Sequence, residues 1–487
     1  MSHQIPQSEE KIIKSYSGYH EVKAKVFKPK NVPELQNLVQ YFYQNNIAYS
    51  IMGTGLSFNN TFHYQHIICC KKLNTLSLDL ENNRFVAQPG VTWGQVMKAI
   101  VPKGYVPPII PTASTITLGG SFSCDTYSRM TATYGKEINQ IISFKILIPT
   151  GHIIYASRTE NKELFYGAIT GMGALGIVIE IEEEVLYVGK NPAFCSIVRS
   201  FDRTEGVSFL KPEARFDEQA KKTWEGSCAV FYQRNGNLCN LLAKHGWSDT
   251  TALNPTLVHQ IKKPSRIIGD FLMHFFPKVA EFSLNYYYKT INKSAHKEAV
   301  FVDEPFGAAF VMDTNIFSKT IAKKLNINLK MLQITYAIPC QTGQEEDQLK
   351  YERFVKTALQ KLKLHKLSAV MIDGVYVPAS KTGLFSSSNS GQESYLFTIT
   401  FEGSALHNYD KVKTLLEEIS AICHYEYQGK VHLTKNVVCS KKILHEMYAE
   451  SIDKLLCLKQ KYDPKNLLQN NLLNDLFDLS ARQLVPN

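Results

Sequence analysis

Several features that would assign this sequence quickly are missing. It has no run of about twenty consecutive apolar residues, so no membrane-spanning helix is expected. The opening residues, MSHQIPQSEEKIIKSY, contain no apolar core. A secretory signal is therefore not expected, and the expected location is cytoplasmic. None of the 10 cysteines forms a C-x-x-C pair or a Cys/His cluster at zinc spacing. That argues against a zinc site and a disulfide framework and for reduced thiols in the core, with no metal. No basic stripe is interleaved with aromatics, and no nucleic-acid module is recognisable. The formal charge of +10 is thus not read as a nucleic-acid footprint. An anionic small ligand or an anionic membrane surface remains as its partner. There is no internal repeat and no low-complexity tract.

What is there is ordinary globular composition, 44% hydrophobic and 20% charged, over 487 residues. That length suggests two or three domains, or one large discontinuous pair. VKAKVFKPKNVPELQNLVQYFYQNN reads as strand, proline-marked turn and amphipathic helix, with Val32, Leu35, Leu38, Val39 and Phe42 on one face. Short strands follow at IAYSIM, HIICC, TLSLDL and RFVAQPG. Then comes a helix with Thr92 as its N-cap and Gly104 near its end. Pro149-Thr150-Gly151 marks a hairpin. Beyond about residue 191, strand-like MLQITYAIP, VMIDGVYVP and SYLFTITFE precede two helical stretches, and LFSSSNSGQ reads as a mobile loop.

GMGALG, from Gly171 to Gly176, has the G-x-G-x-x-G spacing of a dinucleotide fingerprint. That fingerprint needs a strand before it and a helix after it, so that phosphate meets the helix N-terminus. Here helix-like ENKELFYGAIT precedes it and strand-like IVIEIEEEVLYV follows. The order is reversed, and the glycines read as a turn.

Two other loops suit a phosphate better. Gly53, Thr54, Gly55, Leu56 and Ser57 follow a strand and can turn successive backbone N–H groups toward one anion. PTASTITLGGSFSCD, Pro111 to Asp125, again joins hydroxyls (Thr112, Thr117, Ser123) to a double glycine, Gly119-Gly120. Each loop alone also reads as an ordinary turn. Taken together they leave room for a diphosphate between them.

Around these loops the sequence resembles the vanillyl-alcohol oxidase / p-cresol methylhydroxylase superfamily. The likeness rests on GTGLSF, on VAQPGVTWGQVMKAIVPKGYVPPIIPTASTITLGGSFSCDTYS, on GKEINQIISFKILIPTGHII, and on NKELFYGAITGMGALGIVIEIEEEV. The resemblance implies an α+β fold: a two-subdomain FAD-binding domain over 1–190, a substrate or cap domain with an antiparallel sheet over 191–428, and a C-terminal segment, 429–487, returning to the FAD domain. It also implies FAD as cofactor. Gly53 to Ser57, Phe58, Pro111, Thr112, Thr117, Gly119, Gly120, Ser123, Cys124 and Tyr127 would line it, with backbone contact at Gly176 and Val178. Covalent members carry a histidine after the double glycine; Tyr127 stands there, which implies non-covalent FAD.

Within the superfamily the chain is most similar to the decaprenylphosphoryl-β-D-ribose 2-oxidase branch. MLQITYAIP then supplies a substrate-contacting Gln333, and GKVHLTKNV is similar to the strand that carries the active-site lysine, Lys435. Thr398 stands where the mycobacterial enzymes have a cysteine. His432 is a fourth candidate for the same cleft. The implied reaction is oxidation of a sugar or polyol hydroxyl, possibly lipid-linked, by hydride transfer to flavin N5, with quinone or oxygen as acceptor. Flavin-dependent alkene reduction, as in the sterol side-chain reductases, and a non-catalytic flavoprotein are the alternatives. Leu272, Phe275, Phe276, Val279 and Phe282, beside Lys262, Lys263 and Arg266, read either as a face packed on a sheet or as a peripheral membrane contact.

Overall fold

The computed structural model describes residues 7–201, 210–211, 216–217, 222–234, 237–254, 258–260, 300–303, 313, 330–341, 345–367, 369, 371–402, 406 and 408–479. The aromatic and basic stretch 262–289 lies outside the described residues.

The N-terminal part builds two sheets. Strands β1 (Ser8–Lys14), β2 (Glu21–Phe27), β3 (Ser50–Met52) and β4 (His66–Cys69) stand in the order β1-β2-β4-β3, with β4 parallel to both neighbours. Helix α1 (Val32–Gln44) crosses between β2 and β3. Asn31 starts it by accepting the Glu34 N–H at 2.9 Å, and Pro33 lies in its first turn. Leu35, Leu38, Val39 and Phe42 recur at helical spacing and are buried, each worth roughly 1.5–3 kcal/mol against exposure.

The second sheet has the order β5-β6-β9-β7-β8 and is wholly antiparallel: β5 (Leu76–Asp79), β6 (Arg84–Ala87), β7 (Ile141–Leu147), β8 (Ile153–Ser157) and β9 (Ile177–Glu184). Helix α2 (Trp93–Ile100) follows β6 and opens with a reciprocal cap: Thr92 accepts the Gln95 N–H, and Gln95 accepts the Thr92 N–H at 2.8 Å. Gly104 closes the turn after it at φ +88°. Short helices α3 (Leu118–Phe122) and α4 (Thr131–Tyr134) precede β7. Gly151 lies in the β7–β8 hairpin at φ +91°, the left-handed region that only glycine enters without strain. Helix α5 (Lys162–Ala168) leads through Gly171–Gly176 into β9. The order helix, turn, strand is the reverse of a dinucleotide fingerprint.

The third sheet has nine strands: β10 (Pro192–Phe201), β11 (Gly226–Arg234), β12 (Asn237–Asp249), β13 (Val258–Gln260), β14 (Val300–Asp303), β15 (Met331–Pro339), β16 (Met371–Val377), β17 (Ser394–Glu402) and β18 (Lys430–Val431). Their order is β13-β14-β10-β12-β11-β16-β17-β15-β18. Every neighbouring pair is antiparallel except β13 with β14. On one face Ile334, Tyr336, Ile338, Phe397, Ile399 and Phe401 pack against helices α6 (Glu345–Leu364) and α7 (Tyr409–Tyr425), through Tyr351, Phe354, Leu415 and Leu416. The alternate residues, Gln333, Thr335, Thr398, Thr400 and Asp373, take the other face by the two-residue period of a strand. Those residues make a polar part of that face, which Tyr127 meets from the chain after the second glycine loop.

Helices α8 (Lys441–Tyr462) and α9 (Asn471–Phe477) carry the chain back to the first two sheets. Lys459, buried, bonds Asp463 at 2.9 Å and the Leu468 carbonyl at 2.8 Å. Asn470 donates to the Met172 carbonyl at 2.8 Å, and Leu468 bridges Tyr49.

Two expectations need correction here. The stretch LFSSSNSGQ is not a loose loop: Phe385, Ser386, Ser387 and Ser388 are buried, and two of these serines bond a buried carboxylate. Side-chain hydroxyls satisfied inside the protein pin a segment whose composition reads as solvent-facing. Lys435 does not lie on a strand either. β18 ends at Val431. The His432 N–H then bonds the Thr335 carbonyl and the Asn436 N–H bonds the Gln333 carbonyl, each at 2.8 Å. The residues between them bulge away from the edge of β15, and the bulge carries Lys435 outward.

Candidate active site

The first loop, Gly53–Phe58, leaves the end of β3. Among the described residues, no carbonyl or side chain accepts from the N–H groups of Thr54, Gly55, Leu56 or Ser57. Backbone donors left without partners are costly unless water or a ligand takes them. Gly55 has φ +80°, so the loop turns its N–H groups in a way a side-chain-bearing residue resists.

The second loop runs from Pro111 to Asp125. Its own N–H groups are mostly spent internally: Gly119 donates to the Pro89 carbonyl at 3.0 Å and Gly120 to the Thr117 carbonyl at 2.9 Å. Pro111 and Thr117 are buried, Thr112 is exposed, and Gly119, Gly120, Ser123, Cys124 and Tyr127 are half-buried. The two loops touch. Thr54 donates its hydroxyl to the Thr115 carbonyl at 2.7 Å, and a Cβ built on Gly53 would meet Thr117 Oγ1 at 2.3 Å. Open backbone donors on one loop, against a glycine-rich turn on the other, make an anion cradle that needs no cation. Gly176 and Val178 follow a turn that packs on the second loop: the Met172 N–H donates to the Ser123 carbonyl at 2.9 Å. Val178 is buried, and a Cβ on Gly176 would meet Ile146 and Leu147 at 2.8 Å, so close strand packing alone requires that glycine.

Tyr127 bridges the second loop to the nine-stranded sheet. Its hydroxyl lies 3.2 Å from both Thr335 Oγ1 and Thr398 Oγ1, which are themselves 2.9 Å apart. Burial raises the phenol well above its ordinary value, so it stays protonated. Gln333, one turn of the pleat away, donates its amide to Thr400 at 2.9 Å.

Lys435 faces this surface from its bulge. Its ammonium lies 4.9 Å from the centroid of the Phe58 ring, at the end of the first loop. Asn59 fastens the bulge by donating to the Leu433 carbonyl at 3.0 Å and to the Lys435 carbonyl. Burial pushes the ammonium below its usual value, and Asp373 and Cys124 partly offset this. Burial pushes the Cys124 thiol up to about 12, so it is not a thiolate.

His432 lies behind this surface in a sealed network. Asp125 pairs with Lys136 at 2.5 Å and approaches His432 Nδ1 at 3.4 Å, and all three are buried. Burial alone would raise the Asp125 carboxyl, but Lys136 and His432 hold it well below the usual carboxylate range. Ser387 Oγ lies 3.1 Å from His432 Nδ1, and Thr434 Oγ1 contacts Nε2. Both ring nitrogens are therefore taken within the protein. His432 fastens the segment that carries Lys435, and neither nitrogen is open to a ligand in this geometry.

A family model described as FAD binding domain matches residues 24–157, the span of both loops. This chain carries an FAD-binding domain. A second model, described as D-arabinono-1,4-lactone oxidase, matches residues 326–476, from β15 through α8 into α9. The chain is similar to mitochondrial L-galactono-1,4-lactone dehydrogenase of Arabidopsis thaliana, 28% identical over 35% of this chain and 28% of that one. It is similar to L-gulonolactone oxidase of Scyliorhinus torazame, 24% identical over 43% of this chain and 48% of that one. Decaprenylphosphoryl-β-D-ribose oxidase of Mycolicibacterium smegmatis is a distant likeness, 26% identical over 22% of this chain and 24% of that one. The chain thus spans less than half the length of these relatives. In an FAD-binding domain the open donors of 54–57 and the glycine approach at Gly53 fit the diphosphate of FAD.

Sequence reading overlooked Asp373. It pairs in register with Thr398 and with Val230, near the middle of the nine-stranded sheet. Its Oδ1 is buried with no hydrogen-bond partner among the described residues. The signal was present: one carboxylate inside the otherwise uncharged strand MIDGVYV is expensive to bury without a purpose.

Proposed function

We propose that this chain is an FAD-dependent oxidoreductase that oxidises a hydroxyl-bearing carbon of a sugar, polyol or sugar lactone. One observation carries the reading: the polar face of the nine-stranded sheet meets Lys435 and Tyr127 beside the two FAD loops. A face of amide, hydroxyl and carboxylate groups suits a polyhydroxylated ligand. Bound FAD supplies the two-electron acceptor. Gln333, Thr335 and Thr398 orient the ligand; Lys435, desolvated, takes the hydroxyl proton as a neutral amine or holds a positive charge beside the ligand.

The finer parts of the reading rest on separate supports. Non-covalent attachment is supported by the Tyr127 phenol, which is committed to two threonines. The diphosphate on Gly53–Ser57 and Thr117–Gly120 is supported by the unused N–H groups. The division into 1–190, 191–428 and 429–487 is supported by the separate sheets and by the bonds of Lys459 and Asn470 back to the first unit. A lipid-linked sugar draws support from the decaprenylphosphoryl-β-D-ribose oxidase likeness, and a free lactone from the D-arabinono-1,4-lactone oxidase match. The hydroxyls both share are what the polar face fits. Quinone or oxygen is the proposed electron acceptor. No described helix is long and apolar enough to cross a membrane.

The test is optical. The purified protein is expected to show a flavin band that denaturation releases. Under anaerobic conditions the band should bleach with L-gulono-1,4-lactone, a polyol or a prenyl-phosphoribose. A protein that stays colourless with added FAD, or a band that bleaches only with NADPH, overturns the reading.

A further inference from the structure

Among the described residues, Asp373 is the one carboxylate on the polar part of the sheet face described above; the residue is half-buried and its Oδ1 is fully buried. Strand register places it beside Thr398, whose hydroxyl reaches Tyr127, and beside Val230 of β11. Its Oδ1 is sealed from solvent and accepts no hydrogen bond from any described group. A buried acceptor left empty is costly, so such an atom points to a donor that arrives from outside. Lys435 and Arg129 act on it as nearby positive charges.

We propose that Asp373 is a substrate-contacting residue that accepts a hydrogen bond from a ligand hydroxyl and discriminates against an anionic group at the same position. The inference rests on the oxidoreductase reading and names the chemistry its substrate presents: a neutral, hydroxyl-bearing sugar or lactone at the centre of the sheet. A phosphate there would face a carboxylate in a poorly screened interior, where like charges repel strongly. The match to a lactone oxidase model over this region is consistent with an uncharged ring.

Burial lifts the Asp373 carboxyl to about 6, with Arg129 and Lys435 pulling it down. The ionised form is the better acceptor, so ligand binding should weaken as pH falls through that value. The other titratable groups acting around it are Tyr127, Cys228 of β11 and, from α6, Tyr351; burial raises all three and leaves them neutral in that range.

The experiment is anaerobic calorimetric binding of L-gulono-1,4-lactone and of D-ribose 5-phosphate to the purified protein with its flavin already reduced, so that no turnover occurs, at pH 5 and pH 7.5. Asp373→Asn should weaken lactone binding roughly tenfold and Asp373→Leu roughly a hundredfold at pH 7.5. Asp373→Asn should also bind the phosphate more tightly than the unmodified protein does. The unmodified protein should lose lactone affinity from pH 7.5 to pH 5, and Asp373→Asn should not. Lys435→Met should keep the acid-side loss but move it to higher pH, since a cation that holds Asp373 down is gone. Unchanged lactone affinity in Asp373→Asn overturns the proposal. So does a pH-independent affinity in the unmodified protein, which needs no variant to fold. If flavin still bleaches anaerobically with lactone, that result leaves the oxidoreductase reading standing; a protein that holds no flavin ends both.

Discussion

Gly53 and Thr117 come from different loops, yet a Cβ on Gly53 would stand 2.3 Å from Thr117 Oγ1. No real Cβ tolerates that distance. Gly53→Ala must turn the Thr117 hydroxyl away or move the two loops apart, at about 1–3 kcal/mol for overpacking. The loops hold the open N–H groups, so the same variant should purify with less flavin. Thr117→Ala removes the clashing oxygen, and the double variant should recover at least half of the lost melting temperature and flavin content. Equal losses in Gly53→Ala and in the double variant would show that the contact does not matter.

Lys435 sits on the bulge after β18, over the Phe58 ring. Lys435→Met should keep flavin and melt within a few degrees of the parent, because no described side chain depends on its ammonium for an ion pair. Its anaerobic reduction by substrate should slow about 10²- to 10⁴-fold, the range for loss of a positioned proton-transfer group. Stopped-flow absorbance measures this directly. Unaltered reduction would remove Lys435 from the reaction.

Asp125 should matter for folding rather than for chemistry. Removing one partner of a buried ion pair leaves the other charge uncompensated and costs about 3–5 kcal/mol. Asp125→Asn should therefore fall well below the parent in a urea melt. The sign with pH follows from its depressed carboxyl: the stability it contributes is complete above the unfolded value, near 3.9, and is lost as pH falls toward the folded one. In Asp125→Asn the acid limb below pH 4 should be shallower than in the parent.

Glu137 and Glu183 give the opposite sign. Both are buried, burial lifts Glu137 to about 7, and the nearby Glu137 adds to the upward push on Glu183. A carboxyl held protonated in the folded state favours folding below the unfolded value, near 4.3, and that stability is lost as pH rises through the folded value. The parent should therefore lose stability between pH 4.5 and pH 7.5 through this pair. Glu183→Gln should flatten that slope, measured as melting temperature against pH. An identical slope in the variant would mean that Glu183 does not contribute to it.

Much of the fold was legible in the chain because it rests on local rules. The cap at Thr92, the apolar face of α1, the hairpin at Gly151 and the reversed order around Gly171–Gly176 each follow from a few adjacent residues. The glycine loops were legible for the same reason, since an anion cradle needs only permissive backbone and hydroxyls within five or six positions. The polar face was only half legible. Gln333 and Thr398 could be chosen from strand patterns, but which side of the sheet they share with Asp373 depends on register between strands far apart in sequence.

Local chemistry thus determined the helices, the turns and the glycine-rich loops, because those energies are settled within a turn or two of chain. Tertiary structure alone decided that Ser386 and Ser387 are buried, that His432 has both nitrogens occupied, and that Lys435 projects from a bulge instead of lying in a strand. Each of these depends on a partner hundreds of residues away or on an interrupted ladder, and burial has no fixed sequence distance. The empty oxygen of Asp373 belongs to the same class: a strand pattern names the residue, and only packing shows that nothing in the described protein reaches it.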